Sequence, residues 1–243
     1  MKPRITVLAA ALLTALPVLP AAAARDAAPN KILSVSLVGP GAQSRWAYVL
    51  EQTSVRAAPQ SSAPTIATLR TATALGQPNL VLLLREQANA DGKDWVLVRL
   101  AVRPNDSTGW VPREALDSFH VLTTRLVIDR RSFVARLYRK GHVIFRAQIG
   151  VGRASAPTPA GNFYVREELQ NFDNPLYGPI AFGTSARSPT LTDWPGGGFI
   201  GIHGTNEPQV LPGRVSHGCI RMRNADILRL AQLMPPGTPV TIR

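Results

Sequence analysis

The sequence predicts a mainly β protein with two consecutive β regions and a single short helix near the C-terminus. Short apolar runs, many alternating with polar residues, recur along residues 47–118 and again from residue 123 onward. Gly, Pro and Asn separate these runs, as expected for strands joined by tight turns. Helical spacing of apolar residues is convincing only in 224–234.

The N-terminus has the features of a secretory signal peptide over residues 1–24. Lys2 and Arg4 precede the nearly apolar stretch 5–18, and four alanines at 21–24 provide small residues for cleavage. The apolar stretch is shorter than the roughly 20 residues that a spanning helix needs. We therefore expect export to the cell wall or periplasm without stable membrane association after cleavage, and an uncleaved anchor is the alternative.

Residues 25–46 are predicted to be a linker with a first strand, and residues 47–118 a small β-barrel. The barrel prediction depends on an apolar run at 80–84, an alternating run at 95–100, and turn residues such as Asn-Ala-Asp-Gly at 89–92.

The second region, residues 123–243, opens with a predicted hairpin and ends with the helix. Alternating runs at 133–138 and 143–149 flank a Lys-Gly turn. Asn224 is a plausible helix cap, and Pro-Pro-Gly at 235–237 ends the helix.

The charge balance indicates an anionic partner. Lys plus Arg minus Asp plus Glu gives 27 − 15 = +12, and loss of Lys2 and Arg4 with the signal would leave +10. Such a surface favours an anionic matrix. An exported protein meets the acidic polymers of a cell envelope, and the basic residues lack the aromatic interleaving of nucleic-acid modules, so no nucleic-acid partner is predicted.

The single cysteine lies in a sequence that is typical of a nucleophilic thiol. Residues 216–222 read Ser-His-Gly-Cys-Ile-Arg-Met, and Cys219 has no partner for an internal disulfide. A thiol beside a histidine and a glycine is a candidate nucleophile, because a neighbouring base or cation lowers its pKa and glycine lets a substrate approach. A buried inert thiol or an intermolecular bridge are the alternatives.

Two histidines are candidate bases for that thiol. His217 would lie on the same side as Cys219 if Gly218 is extended, and His203 lies 219 − 203 = 16 residues earlier. Backbone amides around Gly218 are candidate oxyanion donors. Arg221 could favour the thiolate, hold a substrate carboxylate, or pair with a surface acid.

Other residues support less definite predictions. His203, His217 and Cys219 could instead be zinc ligands with a water in the fourth position. Asn206 and Glu207 could form a cleft wall or a simple loop. Tyr177 and Trp194 lie in the long Gly/Pro-rich connection 171–198, where they could line a cleft, form a lid or pack in the core.

The first region resembles a bacterial SH3-like domain. Residues 54–59, 66–69, 95–98 and 108–112 match that family in order, although Ala58 replaces the usual glycine before the proline. The resemblance implies binding to wall peptides, and a barrel that only packs against its neighbour is the alternative.

The second region resembles the YkuD-type L,D-transpeptidases. The hairpin, Thr-Pro-Ala-Gly-Asn-Phe at 158–163, Ile-His-Gly-Thr-Asn-Glu-Pro at 202–208, the cysteine segment and the closing strand at 237–242 all match in order. The resemblance implies a β-sandwich with a short helical cap and the cysteine at one end of a sheet, beneath a substrate cleft.

The same resemblance implies the reaction. Cys219 would attack the amide between the third-position diamino acid of a donor peptidoglycan stem and the following D-alanine, and an acceptor stem would take the acyl group to give a 3→3 cross-link. His203 would be the base, its other ring nitrogen held by a backbone carbonyl in the following residues. No metal or cofactor is implied, and a carbapenem would acylate the thiol. An L,D-carboxypeptidase, a wall-protein-attaching transferase, an exchange of terminal D-amino acids and a non-catalytic wall-binding protein are the alternatives.

Overall fold

The computed structural model describes residues 34–36, 43–89, 92–170, 174–190 and 198–243. The predicted signal peptide and Trp194 lie outside the described residues. The described chain is mainly β with one short C-terminal α-helix, so the predicted fold class is confirmed.

The strands follow one another along the chain with short connections. In the first β region they are β1 (Ser34–Ser36), β2 (Ser44–Tyr48), β3 (Thr53–Arg56), β4 (Thr65–Leu69), β5 (Leu80–Ala88), β6 (Asp94–Arg99), β7 (Thr108–Pro112) and β8 (His120–Leu122). In the second they are β9 (Thr124–Asp129), β10 (Val134–Arg139), β11 (His142–Gln148), β12 (Gly150–Gly152), β13 (Gly161–Gln170), β14 (Ile180–Arg187), β15 (Phe199–His203), β16 (Gly213–Ser216), β17 (Ile220–Arg221) and β18 (Pro239–Ile242).

The first β region is an antiparallel sheet in the order β4-β3-β7-β6-β5-β2-β8, with β1 pairing with β5. Its core is formed by the alternate apolar residues of these strands, among them Val55, Leu83, Val96 and Val111. The pairs β3-β4, β5-β6 and β6-β7 join consecutive strands, which need only short turns. The pairs β3-β7, β2-β5 and β2-β8 join strands that are further apart in the chain.

The second β region is a curled, mixed sheet in the order β11-β10-β9-β18-β13-β14-β15-β17-β12-β16. The sheet wraps around one apolar core to which most of its strands and the helix contribute. The predicted hairpin is present as β10 and β11, and Lys140 and Gly141 at its turn both have positive φ, 49° and 84°. Antiparallel hairpins build one end of the sheet, whereas the parallel pair of β15 and β17 lies near the other end.

The helix α1 spans Asn224–Ala231, three residues less than predicted. Arg223 occupies the N-cap position and makes no side-chain cap, so the predicted capping role of Asn224 is wrong. The Asn224 Oδ1 atom instead accepts a hydrogen bond from the Thr205 N–H at 2.8 Å. Ile227 and Leu230 bury one face of the helix against the core of the second region.

The two β regions are in direct contact. Tyr164 of β13 is buried among Trp46, Leu80 and Leu82 of the first region, and its hydroxyl donates to the Leu80 carbonyl at 3.3 Å. Burial raises the pKa of Tyr164 to about 12. Within the described residues, no helix is long and apolar enough to cross a membrane.

Candidate active site

The parallel pairing of β15 and β17 brings His203 and Cys219 to the same place. β15 ends at His203 and β17 begins at Ile220, directly after the cysteine. Ile202 pairs with Ile220 and both are fully buried, which fixes the register of the two strands. The backbone pairing thereby brings His203 and Cys219 close together, although they are 16 residues apart in the sequence.

The segment that carries the cysteine is held by two hydroxyl groups. Ser216 Oγ donates to the Cys219 carbonyl at 2.6 Å and accepts from the Gly218 N–H at 3.1 Å. Thr158 Oγ1 donates to the Gly218 carbonyl at 2.7 Å. Gly218 has φ +121°, a conformation that other L-residues rarely adopt, so the turn before the cysteine requires glycine.

Thr158 is a site residue that the sequence reasoning missed. The proline and glycine of the Thr-Pro-Ala-Gly-Asn-Phe segment indicate only a turn, yet its threonine is buried and also accepts from the Gly152 N–H at 2.8 Å. A threonine directly before a proline was the only available signal, and turn chemistry explains that signal equally well.

His203 is buried and its tautomer is set by the backbone. Its Nδ1 lies 2.6 Å from the Gly204 carbonyl oxygen, and because a carbonyl only accepts, Nδ1 carries the hydrogen. The Nε2 lone pair is therefore available. Burial lowers the pKa of His203 to about 4, because it outweighs the opposing Gly204 hydrogen bond, and the nearby Arg221 charge acts in the same direction as burial.

Cys219 is also buried, and its thiol is held in the protonated form. Burial raises the pKa of Cys219 to about 11, although the Gly201 N–H, which donates to Sγ at 3.4 Å, and the charge of Arg221 act in the opposite direction. The expected thiolate-favouring effect of Arg221 is present but smaller than the cost of desolvating the anion. At neutral pH the pair is a neutral thiol and a neutral imidazole.

Gly201 lies next to both the Cys219 thiol and the His203 imidazole. A Cβ built on Gly201 would lie 3.8 Å from Cys219 Sγ and 3.9 Å from His203 Cδ2. Both side chains thus border the same small space beside the β15 backbone. The ring of Tyr177 packs edge-on against the His203 imidazole, with 5.1 Å between centroids.

Two clefts open at this site. The first has a volume of about 370 Å³, is mostly apolar, and contains Cys219, His203, Tyr177 and Phe199 in its lining. The second has a volume of about 260 Å³ and is lined by Leu176, Tyr177, His203, Ser216, His217, Cys219 and Arg221. Tyr177 therefore lines both clefts, which answers the sequence-based question of whether it lies in the core or in the cleft.

The remaining candidates take different positions. His217 is exposed, because the positive φ of Gly218 breaks the extended geometry that would have aligned it with Cys219. Arg221 is buried and pairs with Glu207 Oε2 at 3.1 Å, while its Nε has no partner among the described residues. Asn206 is exposed. Although His203, His217 and Cys219 all line the second cleft, no group of three or more His, Cys, Asp or Glu side chains in the described part of the chain is arranged to hold a metal ion, which speaks against the zinc alternative.

Fold and site together define a domain in which a buried histidine at the end of β15 and a buried cysteine directly before β17, both in a curled β sheet, line the same clefts. Residues 123–242 match the YkuD family model, and this part of the chain is an L,D-transpeptidase catalytic domain.

Similar proteins cover half of the chain or somewhat less. YkuD of Bacillus licheniformis is 34% identical over 118 residues, 49% of this chain and 64% of that protein. YkuD of Bacillus subtilis is 39% identical over 94 residues, 39% of this chain and 50% of that protein. The chain thus spans between half and two thirds of the length of these relatives. A crystal structure of an Enterococcus faecium L,D-transpeptidase mutant is 26% identical, with a TM-score of 0.40 and coverage of 50% of both chains.

Proposed function

We propose that this protein is an exported peptidoglycan L,D-transpeptidase that forms 3→3 cross-links through a thioester on Cys219. The observation that carries the proposal is that Cys219 and His203 line the same clefts, while the Nδ1 hydrogen of the imidazole is committed to Gly204. That commitment leaves Nε2 as the proton acceptor, which is what general-base activation of a thiol requires. The family match of residues 123–242 supports the same reaction class.

The neutral resting pair determines the order of events. Because Cys219 is protonated and His203 is neutral at pH 7, the thiol proton passes to Nε2 as sulfur attacks the donor carbonyl. Collapse of the tetrahedral intermediate breaks the amide, and the same proton leaves with the amine of D-alanine. The acceptor amine then attacks the thioester and gives its proton to His203. As the C–S bond breaks, His203 returns that proton to the departing sulfur, which restores the thiol and the neutral imidazole.

The oxyanion must be stabilised by backbone donors near the thiol. The Gly218 N–H already donates to Ser216 Oγ, so it is committed to the loop. The N–H of Cys219 itself and that of the exposed His217 are the remaining candidates in this segment. Thr158 and Ser216 would hold these groups in place through their hydrogen bonds to the Gly218 and Cys219 carbonyls.

Two clefts that meet at one thiol favour transfer to an amine over hydrolysis. A donor and an acceptor can occupy the clefts of about 370 Å³ and 260 Å³ separately, each with access to Cys219. Arg221 borders the second cleft, where its guanidinium could hold a carboxylate of the acceptor. Export by the N-terminal signal and wall binding by the SH3-like first region belong to the same proposal, which the net charge of the chain supports.

The test is mass spectrometry of disaccharide-tetrapeptides incubated with the full chain. We expect loss of D-alanine and a 3→3 linked dimer from the wild type, and neither product from Cys219→Ala, which removes the sulfur but little packing volume. Dimer formation by Cys219→Ala would refute the nucleophile assignment. Tripeptide without dimer would redefine the protein as a carboxypeptidase, and no product at all would leave the wall-binding alternative.

The base assignment is tested by acylation with a carbapenem, which we propose acts as a substrate mimic. His203→Ala is expected to slow adduct formation by at least about a hundredfold, in the range of general-base effects. His217→Ala is the matched control, and its exposed position predicts a much smaller loss. A larger effect of His217→Ala, measured by intact-protein mass over time, would make His217 the base.

A further inference from the structure

The first cleft is not lined by the catalytic region alone. Ala74 and Leu75, from the turn that connects β4 to β5 in the first β region, contribute to its wall together with Cys219 and His203. Leu75 is 49% exposed, although it is a large apolar residue. An exposed leucine at the edge of a mostly apolar cleft points to contact with a ligand.

The turn has a defined shape. The Thr73 N–H donates to the Gln77 carbonyl at 2.8 Å, and the Gly76 N–H donates to the Thr73 carbonyl at 3.0 Å. Thr73 Oγ1 accepts from the N–H groups of Leu75 and Gln77, both at 3.3 Å. These bonds close the turn on itself, so Leu75 is presented by a rigid element.

The same hydroxyl fastens the turn to the catalytic region. Thr73 Oγ1 donates its single hydrogen to Glu167 Oε2 at 2.7 Å, and both residues are buried. A buried carboxylate bonded in this way is costly to separate from its donor. Thr73 therefore couples the shape of the turn to its position over the cleft.

An irregularity in β13 supplies the charged part of the cleft. The pairing with β14 shifts between Val165 and Glu167, so the neighbouring Arg166 and Glu167 both reach the cleft instead of pointing to opposite faces. Gly183 makes room for Glu167, because a Cβ there would lie 2.7 Å from Oε1.

Arg166 retains unused hydrogen-bonding capacity. It is 7% exposed, and its guanidinium stacks on Phe199 at 4.3 Å. Its nearest carboxylate oxygen, on Glu167, is 3.9 Å away, beyond hydrogen-bond length, and its Nε has no partner among the described residues. A buried cation with an unpaired donor favours an anionic group in the cleft.

We propose that the turn 73–77 of the first β region forms a substrate wall of the cleft. The cleft takes an acidic peptide whose apolar side contacts Leu75 and whose carboxylate binds Arg166. This inference rests on the proposed function, since it names the substrate determinants of the same site. It makes the first β region part of the specificity of the enzyme, in addition to any wall binding.

The test is calorimetric binding of a stem tetrapeptide to the full chain carrying Cys219→Ala, so that no turnover is needed. Leu75→Asp adds a like charge beside an acidic peptide and is expected to weaken binding about tenfold or more. Leu50→Asp is the control, because Leu50 is also an exposed leucine of the first region, 61% accessible, and lies outside the cleft lining. Equal affinities of the two variants, or no binding of the tetrapeptide at all, would overturn the proposal.

A second measurement avoids changing a buried residue. A tetrapeptide with amidated carboxyl groups is expected to bind the same protein at least about tenfold more weakly than the acid, because Arg166 loses its anionic partner. Undiminished binding of the amide would remove Arg166 from the proposal. Binding that depends on Leu75 in a protein that forms no cross-link would refute the proposed reaction while leaving the substrate wall in place.

The role of Thr73 as a positioning residue has its own readout. Thr73→Val leaves Glu167 without its donor and is expected to weaken tetrapeptide binding. Thr73→Ser keeps the hydroxyl and is expected to bind the tetrapeptide as well as threonine does. Failure of the serine to restore affinity would remove the hydroxyl from the proposal.

Discussion

Burial dominates the electrostatics of the individual catalytic groups. Cys219 and His203 are 5% and 2% exposed, and in both the loss of solvent outweighs the local hydrogen bonds and selects the neutral form. A neutral pair is stable in the resting state and avoids storing an ion pair in an apolar cleft. In the proposed reaction, charge develops only when a substrate carbonyl is in place to receive it.

The first prediction concerns the stability of the protein in mild acid. The folded-state pKa of His203, about 4, is below its ordinary value of 6.5, so the unfolded chain binds the proton more readily. The free energy of unfolding is therefore expected to fall as pH drops from about 6.5 to about 4, by about 3 kcal/mol for this group.

Urea unfolding at a series of pH values measures this effect. His203→Gln is expected to remove that part of the acid dependence, whereas His217→Gln, the same substitution at an exposed position, should leave the contribution of His203 in place. An acid dependence in His203→Gln equal to that of the wild type would show that another group is responsible.

At the scale of the elements, the parts of the site that are encoded locally could be predicted from the sequence. Apolar alternation and the Lys-Gly turn identified β10 and β11, because hairpins are encoded locally. The cysteine and its two histidines were found by residue type and spacing. Thr158, the shift in β13 and the contact of Asn224 with Thr205 were not, because each depends on segments that meet only in the folded chain.

The second prediction concerns the turn before the cysteine. Gly218→Ala places a side chain on a residue with φ +121° and a Cβ 2.9 Å from Ile200 Cδ1. We expect a loss of about 1–3 kcal/mol in the free energy of unfolding and a displaced thiol. Urea titration and the rate of carbapenem adduct formation report the two effects.

Gly213→Ala is a suitable comparison, since its Cβ would meet neighbours no closer than 3.4 Å and its φ is not in the left-handed region. A Gly218→Ala protein with wild-type stability and acylation rate would contradict the requirement for glycine.

At the scale of the whole molecule, the first region supplies hydrogen-bond partners for buried side chains of the second. Tyr164 and Glu167, both on β13, find their buried hydrogen-bond partners on Leu80 and Thr73. The segment that matches the family model contains Cys219 and His203 but not these partners. The second region therefore depends on the first for the hydrogen-bond partners of these two buried side chains.

The third prediction is that a fragment of residues 123–243 is less stable than the full chain. It exposes Tyr164 and deprives Glu167 of its donor, each worth about 1–3 kcal/mol. Calorimetry of the fragment is expected to show a lower unfolding temperature, with Tyr164→Phe in the full chain as a milder reference that loses only the hydroxyl. An unfolding temperature equal to that of the full chain would show that the contact between the regions contributes nothing to stability.

The hydrogen bond between Thr73 and Glu167 also constrains how this architecture can evolve. Recombination that joined the catalytic half to a different leading region would leave a carboxylate buried without its donor, and would replace the leucine at the mouth of the cleft at the same time. A viable exchange needs compensating changes on both sides of the junction. The two halves are thus expected to be inherited as a matched pair, with substitutions at positions 73 and 167 occurring together.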